Sequence, residues 1–187
     1  MAETDPWPEH QEKSGFLVTL DIAGFSRHLE NPNQLLAHRT ALFRALEDTT
    51  LVKEAMQNHT MAVHFLGDEL RLAFPGSVGA ARVRRFLDDV QTNLDRQHAE
   101  VAPEWRTTVK GTVLAGVLSW ATWNGCKFID GALPFKAQRW MDQLHAGEIA
   151  IDTSFKNALA IAGERTDHLP ERDLDGKSPG YLWRGGQ

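Results

Sequence analysis

The sequence predicts an α+β fold built on one antiparallel sheet, and three features carry that expectation. Phe16 to Ile22 is a short, nearly continuous apolar run, the pattern of a central strand buried on both faces. A tight Gly67-Asp68 turn separates two further apolar segments, Met61 to Leu66 and Leu70 to Phe74, which is a hairpin. Apolar residues at helical spacing lie on either side of that hairpin in the chain.

Taken in order, residues 1–14 are polar with Pro6 and Pro8 and are expected to be a flexible tail ahead of a domain covering 15–187. Asn31 and Pro32 supply an N-cap and a first-turn proline, and Leu35, Leu42 and Leu46 form one stripe of the helix that follows. After the hairpin, Pro75-Gly76 breaks the chain and Ser77 is placed to cap a second helix carrying Val83, Leu87, Val90 and Leu94. A long strand is predicted from Thr107 to Trp123, and a short one at Lys127 to Ile129. A helix follows from about Leu133 to Leu144, stopped by Gly147, then strands at Glu148–Asp152 and Tyr181–Trp183. The symbols read β-α-β-β-α-β with smaller additions, the ferredoxin-like split βαβ plan with helices on one face of the sheet.

Composition narrows the classes. The 187 residues carry 20 Lys+Arg against 25 Asp+Glu, a formal net charge of −5, so no basic field marks a nucleic-acid binder. Hydrophobic residues at 42% suffice for a core and exclude the disordered classes. The charge-free run from Gly111 to Cys126 is shorter than the roughly 20 apolar residues of a membrane span, and no membrane partner is expected. Cys126 is the single cysteine, which fits a reducing, cytoplasmic setting. The eight histidines show no zinc-site spacing.

Two carboxylates carry the chemistry. Asp21 ends the first strand and Asp68 sits in the hairpin turn, and the split βαβ plan places that strand beside that hairpin. Paired carboxylates at one sheet edge are hard oxygen ligands suited to Mg²⁺ or Mn²⁺ with a bound polyphosphate. Gly24, just after Asp21, lets the backbone turn and aim N–H groups at phosphate oxygens. On spacing alone, the same aspartates also fit two solvated turns.

At this point the motifs resemble a family. Leu20-Asp-Ile-Ala-Gly-Phe-Ser26 is similar to the first metal motif of the class III adenylyl/guanylyl cyclases, and Phe65-Leu-Gly-Asp-Glu-Leu70 to their second. Phe128-Ile-Asp-Gly-Ala-Leu-Pro-Phe-Lys-Ala-Gln-Arg139 resembles the family's strand and following helix, and Ala146 to Asp152 the strand after it. Leu174-Asp-Gly-Lys177 with Tyr181-Leu-Trp183 resembles the closing segment.

The resemblance implies metal binding by Asp21 and Asp68, with two Mg²⁺ or Mn²⁺ ions per site. It implies a triphosphate cradle in the backbone of Ile22, Ala23, Gly24 and Phe25, and Arg139 as the arginine that steadies the transition-state phosphate. It further implies a nucleoside triphosphate substrate, a 3′,5′-cyclic nucleotide and pyrophosphate as products, and a homodimer with shared active sites. The departures are specific. The family's asparagine one helical turn before the arginine is Phe135, its base-reading pair is His64 and Phe128, and its phosphate lysine is Asp175, with Lys177 two residues on. Aromatic bulk at Phe128 and Phe135, and at Trp140, favours a single-ring base, as in divergent bacterial pyrimidine cyclases that make an antiphage signal from UTP or CTP. The alternative is a pseudo-cyclase that binds nucleotide or dimerises without turnover. Trp140, Phe128 and Phe135 are also candidates for ordinary core.

Overall fold

The computed structural model describes residues 9–24, 31–58, 61–99, 101–123 and 126–183, and for residues 9–11, 120–123 and 126–128 the backbone alone. Eight strands and five α-helices lie within them. The strands are β1 (Glu9–Ile22), β2 (Ala62–Leu66), β3 (Glu69–Pro75), β4 (Val109–Trp123), β5 (Cys126–Asp130), β6 (Ile149–Asp152), β7 (Glu171–Asp173) and β8 (Pro179–Trp183). The helices are α1 (Pro32–Glu47), α2 (Thr50–Gln57), α3 (Ala80–His98), α4 (Ala132–Met141) and α5 (Thr153–Ile161).

One sheet runs in the order β2-β3-β1-β4-β6-β8-β7, with β5 folded back on β4. Its first four strands have the expected split βαβ order. Strand β4 pairs with β6 in parallel, while the other pairings among the described residues are antiparallel.

Alternation along β1 divides the core. Phe16, Val18, Leu20 and Ile22 join one hydrophobic cluster with Leu42, Val52, Phe86 and Phe155 from α1, α2, α3 and α5. Leu17 points the other way, into a second cluster with Ala137, Trp140 and Met141 of α4. The expectation of helices on one face is therefore corrected: α4 covers the opposite face, because β1 is apolar on both sides and each side needs cover. Trp140 is fully buried in that second cluster.

Other boundaries also move. β1 starts at Glu9 rather than Phe16, since Glu9 to Ser14 pair with Val117 to Thr122 of the long β4. Backbone pairing does not require apolar side chains, so polar residues expected in the tail join the sheet; residues 1–8 lie outside the described residues. Helix α2 was not expected; Thr49 caps it, its side chain accepting from the Val52 N–H. Ser77 does not cap α3. It lies in a 3-10 turn, and the N-cap is Gly79 at φ 81°. Asp152 caps α5 and also ties it to β4, accepting from the N–H groups of Phe155 (2.8 Å) and Ala115 (3.2 Å).

Close packing of β1 on β4 depends on Gly111, where an added Cβ would stand 2.7 Å from the Thr19 carbonyl oxygen and 2.8 Å from Leu20 Cδ2. Gly111→Ala is expected to lower unfolding free energy by about 1–3 kcal/mol in urea titration. In Gly116→Ala the new Cβ would meet Leu133 at an ordinary 3.4 Å, and stability should stay within about 1 kcal/mol of the parent. Equal losses in the two variants would contradict this packing argument.

Candidate active site

The site starts at the end of β1. Asp21 shares the sheet face of Leu17, the face that α4 covers. Its register partner on β3 is Glu69, next in the chain to Asp68, so the hairpin turn arrives beside it. The turn is fixed from outside: Arg39 of α1 donates from Nη2 to the Gly67 carbonyl at 2.7 Å, and Gly67 adopts φ 69°. Phe43 and Phe65 add an edge-to-face contact between α1 and β2, centroids 5.2 Å apart.

Asp21 and Asp68 are thus brought together as the sequence predicts. Burial pushes the Asp21 carboxyl up from 3.8 to about 6, and the neighbouring Asp68 charge adds to the rise. Lys110 opposes it. This lysine is Asp21's register partner on β4, and its ammonium lies 3.5 Å from Asp21 Oδ2 while donating to the Met141 carbonyl at 2.9 Å. Asp21 Oδ1 is buried and receives no hydrogen bond from any donor. A largely buried carboxylate with an orphaned oxygen and a second carboxylate beside it fits a divalent cation. Among the described residues no three His, Cys, Asp or Glu side chains form a metal cluster. An ion held here would therefore complete its shell with backbone carbonyls, water and ligand oxygens, as Mg²⁺ commonly does.

Glu69 is withdrawn from that pair. Arg71 Nε donates to its Oε1 at 2.5 Å, with Glu69 buried and Arg71 half-buried, and Arg71 Nη2 donates to Gln138 of α4 at 3.2 Å. On the other side, Ala23, Gly24, Thr108, Lys110, Leu144, His145 and Ala146 line a cavity of about 320 Å³. Gly24 has φ 76°, a left-handed turn that glycine takes without strain. Ile22 is buried in the core, so only its backbone is available to a ligand. Phe25 lies outside the described residues.

The remaining expected residues sit on β2, β5 and α4. His64 of β2 is in register with Arg71. Strand β5, which carries Phe128, packs against β2, so the strands bearing His64 and Phe128 are neighbours. Phe135 is 69% exposed, and Arg139, one turn further along α4, has a half-exposed side chain. Arg139 forms its ion pair with Asp175 at 3.5 Å rather than with Asp21 or Asp68. The expectation that Trp140 adds bulk to a base pocket is corrected, since its ring belongs to the core. Sequence reading missed Lys110, whose one signal was a lysine beside apolar Val109 in a strand otherwise free of charge.

With this geometry in place, the comparisons are informative. The chain resembles the crystal structure of the guanylyl cyclase Cya2, with TM-score 0.69, 16% identity, and 95% of this chain and 93% of that one covered. It resembles the adenylyl cyclase CyaB from P. aeruginosa, with TM-score 0.63 and 17% identity over 94% and 95% of the two chains. It also resembles the guanylate cyclase domain of RhGC from Catenaria anguillulae, solved in complex with GTP, with TM-score 0.64 and 14% identity over 94% and 99%. No protein-family model matches the chain, and no curated protein matches it by sequence. The fold is that of the adenylyl and guanylyl cyclase catalytic domains.

The raised Asp21 carboxyl makes a signed prediction. The folded chain holds this proton more tightly than the unfolded chain does. Stability should therefore be highest below about pH 4 for this group and fall as pH rises through about 6. A shift of this size corresponds to roughly 2–3 kcal/mol, reduced by whatever solvent screens. Asp21→Asn is expected to remove that slope and to melt higher than the parent at pH 8 without divalent ions. Parallel melting profiles from pH 4 to 8 would contradict it.

Proposed function

We propose that this protein is a nucleotidyl cyclase that converts a nucleoside triphosphate to its 3′,5′-cyclic monophosphate and pyrophosphate. The observation that carries the reading is the convergence of Asp21 and Asp68 where β1 ends beside the β2–β3 turn of a cyclase-type fold. Lys110 lies beside Asp21, and it lines one cavity with the Gly24 turn. In the reaction the ribose 3′-oxygen attacks the α-phosphorus, its proton leaves, and the bond from the α-phosphorus to the bridging oxygen breaks to release pyrophosphate. Asp21 and Asp68 would hold two Mg²⁺ or Mn²⁺ ions, which supply Lewis-acid activation of the hydroxyl and charge neutralisation at the leaving group. The backbone from Ile22 to Gly24 orients the phosphates, and Lys110 offsets their charge. Arg139 balances charge that develops at the α-phosphate.

A two-fold homodimer is part of this reading, supported by the exposure of Arg139 and Phe135 on α4, through which a second copy can bring its Arg139 to this chain's carboxylates. A pyrimidine base is the preferred substrate class in this reading. Phe128 replaces a polar base reader, Phe135 adds an exposed ring to a pocket shared between copies, and His64 can donate or accept toward a carbonyl or amine. An antiphage second-messenger role in the cytoplasm rests on the sequence resemblance alone. No helix among the described residues is long and apolar enough to cross a membrane. The Phe135 and Asp175 departures also suit a nucleotide-binding module without turnover, and the same experiment separates the two.

Incubation with equal ATP, GTP, CTP and UTP and Mn²⁺, followed by nucleotide chromatography, should give a cyclic product pool dominated by a pyrimidine. A pool of cAMP or cGMP would overturn the base preference, and no cyclic product would leave the module. Asp21→Ala and Arg139→Ala should each abolish turnover as homodimers, and mixing them should restore part of it through heterodimers with one intact site. No recovery, with subunit exchange shown independently, would contradict the shared site.

A further inference from the structure

We propose that Asp175 is the positioning residue for Arg139, holding its guanidinium at a fixed place on the exposed side of α4; this rests on the cyclase reading of Arg139.

The carboxylate is itself firmly set. Asp175 lies in the loop between β7 and β8, where its Oδ1 accepts from the backbone N–H groups of Lys177 (3.1 Å) and Ser178 (3.2 Å). One residue pair earlier, Asp173 Oδ1 accepts from the N–H groups of Asp175 (3.2 Å) and Gly176 (2.6 Å), so the loop is closed on itself twice. Gly180 brings the loop down onto α4: an added Cβ there would stand 2.5 Å from Leu174 Cδ1 and 3.3 Å from Trp140 Cζ3. The Asp175 side chain is 3% exposed, and the adjacent α4 residues Arg139 and Trp140 both face it. The Trp140 indole N–H completes no full hydrogen bond but lies against the carboxylate. Burial raises the Asp175 carboxyl, yet the Lys177 and Ser178 N–H groups, Trp140 and Arg139 outweigh it and hold it below its ordinary value. It is an ionised, oriented acceptor.

A charge of this sign at this place cannot meet a phosphate. What it can do is restrain Arg139, whose long side chain has no other ion pair among the described residues and would lose rotamer entropy on ordering. A guanidinium already held in place presents its remaining N–H groups without that loss, the way positioned groups contribute to rate. Binding of substrate need not change, because the arginine acts on charge that develops only during reaction.

Asp175→Asn is the clean test, since Asn Oδ1 can still accept from Lys177 and Ser178 while the ionic hold is removed. Expected is a kcat lower by about 10- to 100-fold with KM within about twofold. In protein labelled with ¹⁵N-arginine, the Arg139 Nη signals should show slowed guanidinium rotation in the parent and fast rotation in the variant. Arg139→Lys serves to assign those signals. An unchanged kcat, or an Arg139 guanidinium that rotates equally fast in parent and variant, overturns the proposal while leaving the cyclase reading intact. A loss carried by KM alone overturns positioning in favour of binding. A parent that forms no cyclic nucleotide overturns the cyclase reading, and the positioning role falls with it.

Discussion

Two carboxylates forced together where the central strand β1 ends beside the β2–β3 turn are the constraint around which this molecule is arranged. Asp21 cannot move away, because it continues the strand whose other residues fill both cores. Asp68 cannot move away either, because its turn is fixed by Arg39 from α1 and by pairing of β3 with β1. The result is a carboxylate pushed up to about 6, with a buried oxygen that no donor reaches. Such a pair is relieved by a retained proton or by positive charge, which Lys110 supplies in part and a divalent cation would supply more fully. Nearby cations offset it only in part: Arg71 is tied to Glu69, and Lys110, 3.5 Å from Asp21 Oδ2, also donates to the Met141 carbonyl.

Much of this was legible in the sequence, and the reasons differ by element. The apolar run at Phe16 to Ile22 announced a doubly buried strand, and Gly67-Asp68 announced its neighbouring turn, so the meeting of Asp21 and Asp68 followed from topology. Asn31-Pro32 announced α1, and Asn31 does accept from the Gln34 N–H. What stayed hidden depends on three-dimensional neighbours. The polar start of β1 is held by backbone pairing with β4, and α2 is a short helix whose apolar face means little until the sheet is present. Lys110 gains meaning only through its register with Asp21. Trp140 and Phe135 look alike as helix aromatics, yet one is fully buried and the other 69% exposed, because only one lies on the face of α4 that meets β4.

The charge layout also separates this chain from the family it resembles. Where a lysine would extend toward phosphate there is an acid, and it is turned inward onto α4 rather than left to face a ligand. Positive charge near the carboxylates comes instead from Lys110 on the central strand. Reversal at one position is thus accompanied by a local partner, Arg139, which keeps a buried acid from standing alone.

The most direct measurement is Mn²⁺ binding by the full chain at pH 8, followed by titration of the free-ion paramagnetic signal and by melting with and without the ion. The account predicts that the parent takes up Mn²⁺ and melts higher with it, and that Asp68→Asn loses most of both effects. Equal uptake by parent and variant, or a parent whose melting ignores Mn²⁺, would contradict it.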